Sequence, residues 1–171
     1  MRFLGNIEAK TDSKGRAFLP APFRKVLAAS GEESLVLRQD VFENLLVLYP
    51  VSVWNALMDD MRRRLSRWDR RQQMAYRTFV SSVVEVGIDG SGRILIPRPF
   101  LESAGISQNV RFVGMGDTIE IWPAETMETM SKEEFGQVLD EAIKAEAIMK
   151  EEKNMMKEEM KEETKRRINN D

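Results

Sequence analysis

The residues with the clearest chemical potential are two cations on either side of a glycine in a short turn. Within Asp12-Ser13-Lys14-Gly15-Arg16, Lys14 and Arg16 flank Gly15, and an apolar triplet and a proline follow. Cations presented in this way can contact phosphates and reach base edges in a nucleic-acid groove. The spacing fits equally well with an ion pair between Arg16 and the carboxylate of Asp12 in the same turn.

The same pattern recurs 77 residues further along the chain, as Asp89-Gly90-Ser91-Gly92-Arg93, again followed by an apolar triplet and a proline. Six identities at this one offset within twelve positions predict a tandem duplication. The identical pairs are Asp12/Asp89, Gly15/Gly92, Arg16/Arg93, Pro20/Pro97, Pro22/Pro99 and Phe23/Phe100. Asp at the first position and Gly at the fourth fit a type I turn. A structural role in the turns is therefore predicted for Asp12, Gly15, Asp89 and Gly92.

Each copy predicts the same series of elements: strand, turn, strand, short helix and two more strands. The apolar triplet is predicted to be a buried strand that ends at the proline, and the arginine to project from the mouth of a hairpin. A module of about fifty residues is small for a core of its own, so we expect the two modules to share one. The predicted fold class is α+β, with a first module over 1–50, connecting helices over 51–82, a second module over 83–124 and a helical tail over 125–171.

The connecting segment has apolar residues at three- and four-residue spacing, which predicts two helices with a break near Ser66–Asp69. Ser52 is predicted to cap the first helix, and Trp54 and Trp68 to anchor in the core rather than to stack on bases. Six arginines in ten residues lie here: Arg62, Arg63, Arg64, Arg67, Arg70 and Arg71. A solvated helix face that pairs with the acidic tail or a neighbouring subunit is the favoured interpretation, and a nucleic-acid surface is the alternative.

The tail differs from the rest of the chain in charge. Residues 125–171 carry 14 acidic against 9 basic side chains, whereas residues 1–124 carry 17 basic against 14 acidic, so the net charge of −2 hides a basic body and an acidic tail. Ser131 to Glu134 forms a capping box, which predicts a helix to about Ala147, packed on the body or on a neighbour. Beyond about Lys150 the apolar residues thin out to three methionines. We therefore expect a frayed or context-dependent helix there, mobile unless another subunit holds it, with disorder from about Arg166.

Composition excludes several kinds of chemistry. The chain contains neither Cys nor His, so the usual nucleophile–base pairs and zinc sites cannot be built. We predict no enzymatic activity, no cofactor, no metal and no small-molecule substrate. No apolar run approaches the roughly 20 residues that span a bilayer, and a soluble, cytoplasmic protein with no membrane partner is expected.

The two D-x-x-G-R turns, each followed by an apolar strand and a proline, resemble the MraZ family, which belongs with the AbrB-like swapped-hairpin DNA-binding folds. The opening F-x-G…T-D-S-K-G-R-A-F-L-P…F-R-K, the L-Y-P…W continuation and the second I-D-G-S-G-R-I-L-I-P carry this resemblance over roughly residues 1–123. It implies tandem AbrB-like β-barrel modules. The helical tail lies outside the resemblance.

The resemblance also implies a function: a bacterial transcription regulator, often a repressor, of the division and cell-wall gene cluster. It would bind direct repeats in double-stranded promoter DNA as a ring-shaped homo-oligomer associated with the nucleoid. Candidate DNA contacts are Lys10, Lys14, Arg16, Arg24 and Arg93, with Arg24 expected beside the first turn. Because Ser91 replaces the lysine in the second turn, Arg93 is expected to contribute less to DNA binding, or to serve the fold or the ring interface.

Three other functions compete with this hypothesis. The first is a structural ring or scaffold whose arginines bind subunits or division proteins. The second is an enzyme that works with carboxylates alone, which the lack of His and Cys disfavours. The third is an AbrB-like antitoxin whose C-terminal segment binds a toxin.

Overall fold

A computed structural model describes residues 2–168 of the chain. The chain divides into two compact units, a β-rich unit that ends at Met127 and a helical unit that begins at Glu128.

Within the β-rich unit, the two repeats contribute matching elements. The first gives β1 (Asn6–Lys10), β2 (Arg16–Phe18), α1 (Ala21–Ser30), β3 (Ser34–Gln39) and β4 (Leu46–Pro50). Two connecting helices follow, α2 (Val51–Arg64) and α3 (Arg70–Ser81). The second repeat gives β5 (Val83–Gly87), β6 (Arg93–Leu95), α4 (Arg98–Ser103), β7 (Asn109–Gly114) and β8 (Ile119–Pro123). The helical unit contains α5 (Lys132–Ile168).

Most of the strands form one antiparallel sheet of six strands, in the order β1-β7-β8-β4-β3-β5. The repeats exchange their first strands, because β1 of the first repeat pairs with β7 of the second, and β5 of the second pairs with β3 of the first. The exchange is symmetric about the central pair β4 and β8. The α+β class is therefore confirmed, in an arrangement where neither repeat completes its sheet alone.

The remaining strands, β2 and β6, form a separate two-stranded antiparallel ribbon. The apolar triplets were expected to be buried along their whole length, and this is wrong for the middle residue of each. Ala17, Leu19, Ile94 and Ile96 are buried, but Phe18 is 58% exposed and Leu95 52% exposed. The reason is the alternation of side chains along a strand, which turns every second residue to the opposite face. The hairpin expected within each repeat keeps one antiparallel bridge next to its turn, Thr11 with Ala17 and Ile88 with Ile94, while each ribbon strand also pairs with its counterpart in the other repeat.

One hydrophobic core joins residues of both repeats, which confirms the expected sharing. Phe3 and Phe23 from the first repeat are buried, with ring centroids 5.7 Å apart in an edge-to-face contact, and Phe112 from the second repeat lies in the same core. Burial of such a side chain stabilises the fold by about 1.5–3 kcal/mol. The ribbon contributes to this core through Ala17 and Ile94, so its inner face is packed against the body.

The connecting helices confirm part of the sequence analysis and correct the rest. The break near Ser66–Asp69 is present, since α2 ends at Arg64 and α3 begins at Arg70. Trp54 is buried and stacks on Phe79 at 5.4 Å between ring centroids, so the predicted core anchor is confirmed. Trp68 is 98% exposed, and the same prediction for it is wrong, because it falls in the break rather than on an apolar helix face.

The predicted cap of α2 is also wrong. The residue at the cap position is Pro50, which makes no side-chain hydrogen bond to the helix. The Ser52 hydroxyl instead donates to the carboxylate of Glu32, because Ser52 already lies within the first turn.

In the helical unit, the predicted capping box is confirmed. The Ser131 N–H donates to Glu134 Oε2 at 2.9 Å, and the Glu134 N–H donates to Ser131 Oγ at 3.2 Å. The segment beyond Lys150, predicted as a frayed or context-dependent helix, is helical, since α5 continues to Ile168, and its mobility stays a prediction. Charged pairs one turn apart support the helix there, including Lys150–Glu146 and Arg166–Glu162. The disorder predicted from about Arg166 falls partly on residues 169–171, which lie outside the described residues.

Packing of the tail helix on the body or on a neighbour stays a prediction. Its apolar stripe, which includes Phe135, Val138, Leu139 and Ile143, is exposed. Within residues 2–168, no helix has the length and apolar character needed to cross a membrane.

Candidate nucleic-acid interface

The first basic turn is organised by one carboxylate. Asp12 Oδ1 accepts the backbone N–H groups of Lys14 and Arg16, both at 2.9 Å, and Oδ2 accepts from Arg16 Nε at 2.7 Å. The Gly15 N–H closes the turn on the Asp12 carbonyl at 3.0 Å. Asp12 thus fixes both the backbone of the turn and the direction of the arginine.

The second turn repeats this geometry closely. Asp89 Oδ1 accepts the N–H groups of Ser91 and Arg93 at 2.9 Å, and Oδ2 accepts from Arg93 Nε at 2.9 Å. Pairing between each arginine and its own turn aspartate, one of the two interpretations of the spacing, is therefore present in both copies. It leaves the two Nη groups of each arginine without a hydrogen-bond partner among residues 2–168, so the guanidinium edge is available to an anion or a base.

The hydrogen bonds of the turns also act on the aspartates. The backbone N–H of Arg16 has the largest effect and, with the side chain of Arg16 and the N–H of Lys14, lowers the pKa of Asp12 against the opposing effect of burial. The backbone N–H of Arg93, followed by that of Ser91 and the Arg93 side chain, lowers the pKa of Asp89 in the same way. Both carboxylates are therefore ionised at neutral pH and able to hold their arginines.

Gly15 is required in the first turn for two reasons. Its φ of 85° lies in the left-handed region, and a Cβ at this position would sit 2.5 Å from the carbonyl oxygen of Ile96. The close approach arises because the Gly15 carbonyl accepts the N–H of Ile96 at 2.9 Å, and the Gly92 carbonyl likewise accepts the N–H of Leu19 at 3.0 Å. Each turn is thereby attached to the ribbon strand of the other repeat.

The ribbon brings the two arginines onto one surface. Arg16 lies opposite Leu95 and Phe18 lies opposite Arg93, with Ala17 and Ile94 between them. Opposite residues in an antiparallel pair share a face, so one side of the ribbon displays Arg16, Phe18, Arg93 and Leu95, which we call the ribbon face. The two arginines are diagonal neighbours, about 7–8 Å apart at their Cα atoms.

The other candidate cations lie around this face. Lys10 lines the same shallow depression as Arg16, Phe18 and Arg93. Lys14 is exposed at the tip of the first turn. Arg24 was expected beside the first turn, because it follows that turn closely in sequence. The structure places its guanidinium against Gly92 of the second turn instead.

The arginine cluster of the connecting helices makes local contacts. Arg63 and Arg64 pair with Asp60 at 3.3 and 2.6 Å, and the guanidinium of Arg62 lies 3.5 Å from the ring centroid of Tyr76. Asp69 caps α3 by accepting the N–H of Gln72 at 2.8 Å. These contacts fit the interpretation of a solvated helix face. Pairing with the acidic tail or a neighbouring subunit stays a prediction.

Sequence reasoning missed two members of the ribbon face, Phe18 and Leu95. Their apolar character suggested burial, and the triplets Ala17-Phe18-Leu19 and Ile94-Leu95-Ile96 are apolar throughout. These stretches therefore lack the strict alternation of polar and apolar residues that identifies a half-exposed strand. An exposed aromatic side chain beside an arginine is a surface that can enter a groove and contact thymine methyl groups.

The α+β fold and the ribbon face are compatible with the class of nucleic-acid-binding proteins that use a β-ribbon. A two-stranded ribbon fits the major groove of B-DNA, and strands that carry arginine are one of the established means of reading bases. Within residues 2–168, no group of three or more Asp or Glu side chains is arranged to hold a metal ion.

The comparison with known proteins is consistent with this class. A family model described as "MraZ protein, putative antitoxin-like" matches residues 79–158. A protein of Phocaeicola vulgatus named "Transcriptional regulator MraZ" is 53% identical over 145 residues, which cover 84% of this chain and 94% of the relative. A protein of Bacteroides fragilis with the same name is 47% identical over 163 residues, covering 94% and 99% of the two chains.

A more distant relative of that name, from Anaeromyxobacter dehalogenans, is 42% identical over 120 residues, covering 70% of this chain and 83% of the relative. The chain belongs to the MraZ family. Family membership and the names of these relatives support a role in transcription regulation.

Proposed function

We propose that this protein is a sequence-specific DNA-binding transcriptional regulator that represses the division and cell-wall gene cluster. The observation that carries the proposal is the ribbon face, where Arg16 and Arg93 are fixed by their aspartates beside the exposed side chains of Phe18 and Leu95. Rigid arginines lose little conformational freedom on binding, so they favour directional contacts with base edges. Lys14 and Lys10 supply the phosphate contacts that position the protein on the duplex.

We further propose that the β-rich unit is a tandem pair of AbrB-like modules, with the module boundaries predicted from the sequence. The exchange of first strands between the repeats supports this assignment, since a swapped pairing is what that family of folds implies. In this account both turns belong to one DNA-binding platform, to which the second turn contributes less because Ser91 replaces the lysine.

The proposed working form is a ring-shaped homo-oligomer that binds direct promoter repeats in the cytoplasm, associated with the nucleoid. One ribbon face reaches few phosphates and bases, so a single subunit binds weakly. Arraying subunits on a ring makes later binding events intramolecular and raises the overall affinity without new chemistry. The exposed side chains of Phe42, at 90%, and Trp68, at 98%, offer apolar surface for contacts between subunits.

An antitoxin-like role is the second candidate, because the description of the matching family model includes it. The exposed apolar stripe of α5 would then be the segment that receives a toxin. A structural ring without DNA binding is the third. In none of these does the protein act as an enzyme or use a cofactor.

A titration of promoter fragments separates these functions. Fragments from upstream of the protein's own gene, with one, two or three repeats, are titrated at several salt concentrations against a shuffled sequence of equal length. We expect affinity to rise steeply with repeat number and to fall with salt, because binding releases counterions from each contacted phosphate. Equal, weak affinity for promoter and shuffled DNA would contradict the proposed function and favour the scaffold or the antitoxin.

A further inference from the structure

The helix that follows each ribbon strand packs on the turn of the other repeat, so α1 lies on the second turn and α4 lies on the first. Arg24 of α1 and Leu101 of α4 are equivalent residues, since they are separated by the 77-residue offset of the duplication. The Arg24 guanidinium lies on Gly92 of the second turn, with Cζ 2.7 Å from the position that a Cβ would occupy. Leu101 lies on Gly15 of the first turn, with Cδ1 3.2 Å from the corresponding position.

This exchange follows from the ribbon. Because β2 and β6 are antiparallel, the end of each strand lies beside the turn of the other repeat. The helix that follows each strand therefore starts beside that turn as well. Arg24 is brought to the second turn by this topology, although the first turn is closer in sequence.

The charges of the two turns are unequal without Arg24. The first turn has Lys14 and Arg16, whereas the second has Ser91 and Arg93. With Arg24 included, the second turn also has two cations. Arg98 of α4 lies beside the first turn as well, but it is paired with Glu102 at 3.0 Å. The second turn, which lacks the lysine, is covered by Arg24. The first turn, which has Lys14, is covered by Leu101.

The contacts of Arg24 leave its charge available to a ligand. Arg16 and Arg93 are each paired with an aspartate, but among residues 2–168 Arg24 forms no ion pair, and its buried Nε has no hydrogen-bond partner. A guanidinium without a carboxylate is stabilised by an external anion.

We propose that Arg24 and Arg93 form a phosphate-binding site at the second turn, equivalent to the site made by Lys14 and Arg16 at the first. Arg24 thereby replaces the cation that Ser91 fails to supply. The inference rests on the proposed DNA-binding function and revises the expectation that the second turn contributes less. Each subunit would then hold the DNA backbone at both ends of the ribbon.

A rescue experiment in the full-length protein tests this site. Arg24→Gln removes the charge but keeps a long side chain, and Arg24→Gln with Ser91→Lys returns a cation from the turn itself. Lys25→Gln is the matched control, because Lys25 is an exposed cation next to Arg24. Each protein is titrated with the promoter fragment at several salt concentrations, and its folding is checked by thermal unfolding.

We expect Arg24→Gln to weaken binding and to reduce the slope of log K against log salt by about 0.9 for each phosphate that the variant no longer neutralises. The Ser91→Lys rescue is expected to restore the slope, which an arginine that only supports the turn would not allow. A folded Arg24→Gln protein with an unchanged slope, or a slope that Ser91→Lys fails to restore, would overturn the proposal.

A measurement on the unmodified protein guards against a folding defect in the variants. Phenylglyoxal modifies accessible arginines, and mass spectrometry follows Arg24 with and without the promoter fragment. DNA is expected to protect Arg24 and to leave Arg63 reactive, whereas equal modification of Arg24 in both samples would overturn the site. If promoter binding is normal but Arg24 is unprotected, only this inference fails. Absence of promoter binding by the unmodified protein would overturn both it and the proposed function.

Discussion

Arg93 faces Phe18 across the ribbon, with its guanidinium carbon 5.9 Å from the ring centroid, while its Nε is held by Asp89 at 2.9 Å. Phe18 comes from the first repeat and Arg93 from the second, so this pair exists only because the repeats join through their ribbon strands. The ribbon face is thus a product of the duplication.

The aspartates of the turns predict a dependence of stability on pH. The pKa values of Asp12 and Asp89 are lowered in the folded state, so their stabilising effect is complete above the unfolded-state pKa of about 4 and is lost as pH falls through the folded values. We expect unfolding in urea to become easier below about pH 4. An Asp12→Asn/Asp89→Asn protein should show a flatter pH profile in that range, and parallel profiles would contradict this role of the carboxylates.

Gly15→Ala is expected to destabilise the protein. The left-handed backbone at φ 85° disfavours a side chain by about 1–2 kcal/mol, and the approach of the Ile96 carbonyl adds to this. Gly90→Ser is the matched control in the equivalent turn, because a Cβ at Gly90 meets no atom within 4 Å. Urea unfolding should show the destabilisation for Gly15→Ala alone, and similar free energies of unfolding for both variants would be inconsistent with the turn geometry.

Phe18→Ser is expected to weaken DNA binding without affecting the fold. Phe18 is 58% exposed, and surface substitutions usually change stability by less than about 0.5 kcal/mol. Leu4→Ser, at a residue 73% exposed outside the ribbon, controls for a general reduction of apolar surface. Fluorescence anisotropy with labelled promoter DNA should separate the two variants. If Phe18→Ser instead changed the oligomeric state and left the affinity per site unchanged, the ribbon face would be a subunit interface.

The local features of the site could be predicted from the sequence, and the long-range ones could not. Asp at the start of each turn and Gly at the fourth position encode a geometry that depends on neighbouring residues alone, and both turns have it. The exchange of β1 and β5 depends on pairing between residues far apart in the chain, such as Ile7 with Phe112, which local patterns do not specify. For the same reason the position of Arg24 became clear only from the structure.

Burial was harder to predict for single aromatic residues than for whole elements. Trp54 and Trp68 have similar spacing, yet only Trp54 lies within a helix, where its ring stacks on Phe79. Trp68 lies in the break between α2 and α3. A difference of one turn in where a helix ends therefore decides whether such a residue lies in the core.

Comparison of Arg16→Ala with Arg63→Ala tests the central claim, that the ribbon face rather than the helical arginine cluster binds DNA. Arg63 is an exposed arginine paired with Asp60 at 3.3 Å, so its substitution removes the same charge from the other surface. Binding of both folded variants to the promoter fragment is measured by fluorescence anisotropy at one salt concentration. We expect Arg16→Ala to reduce the binding free energy by about 1–3 kcal/mol, as when a hydrogen bond to a base edge is removed, and Arg63→Ala to bind as the unmodified protein does. Unchanged affinity of Arg16→Ala together with weaker binding by Arg63→Ala would contradict the account.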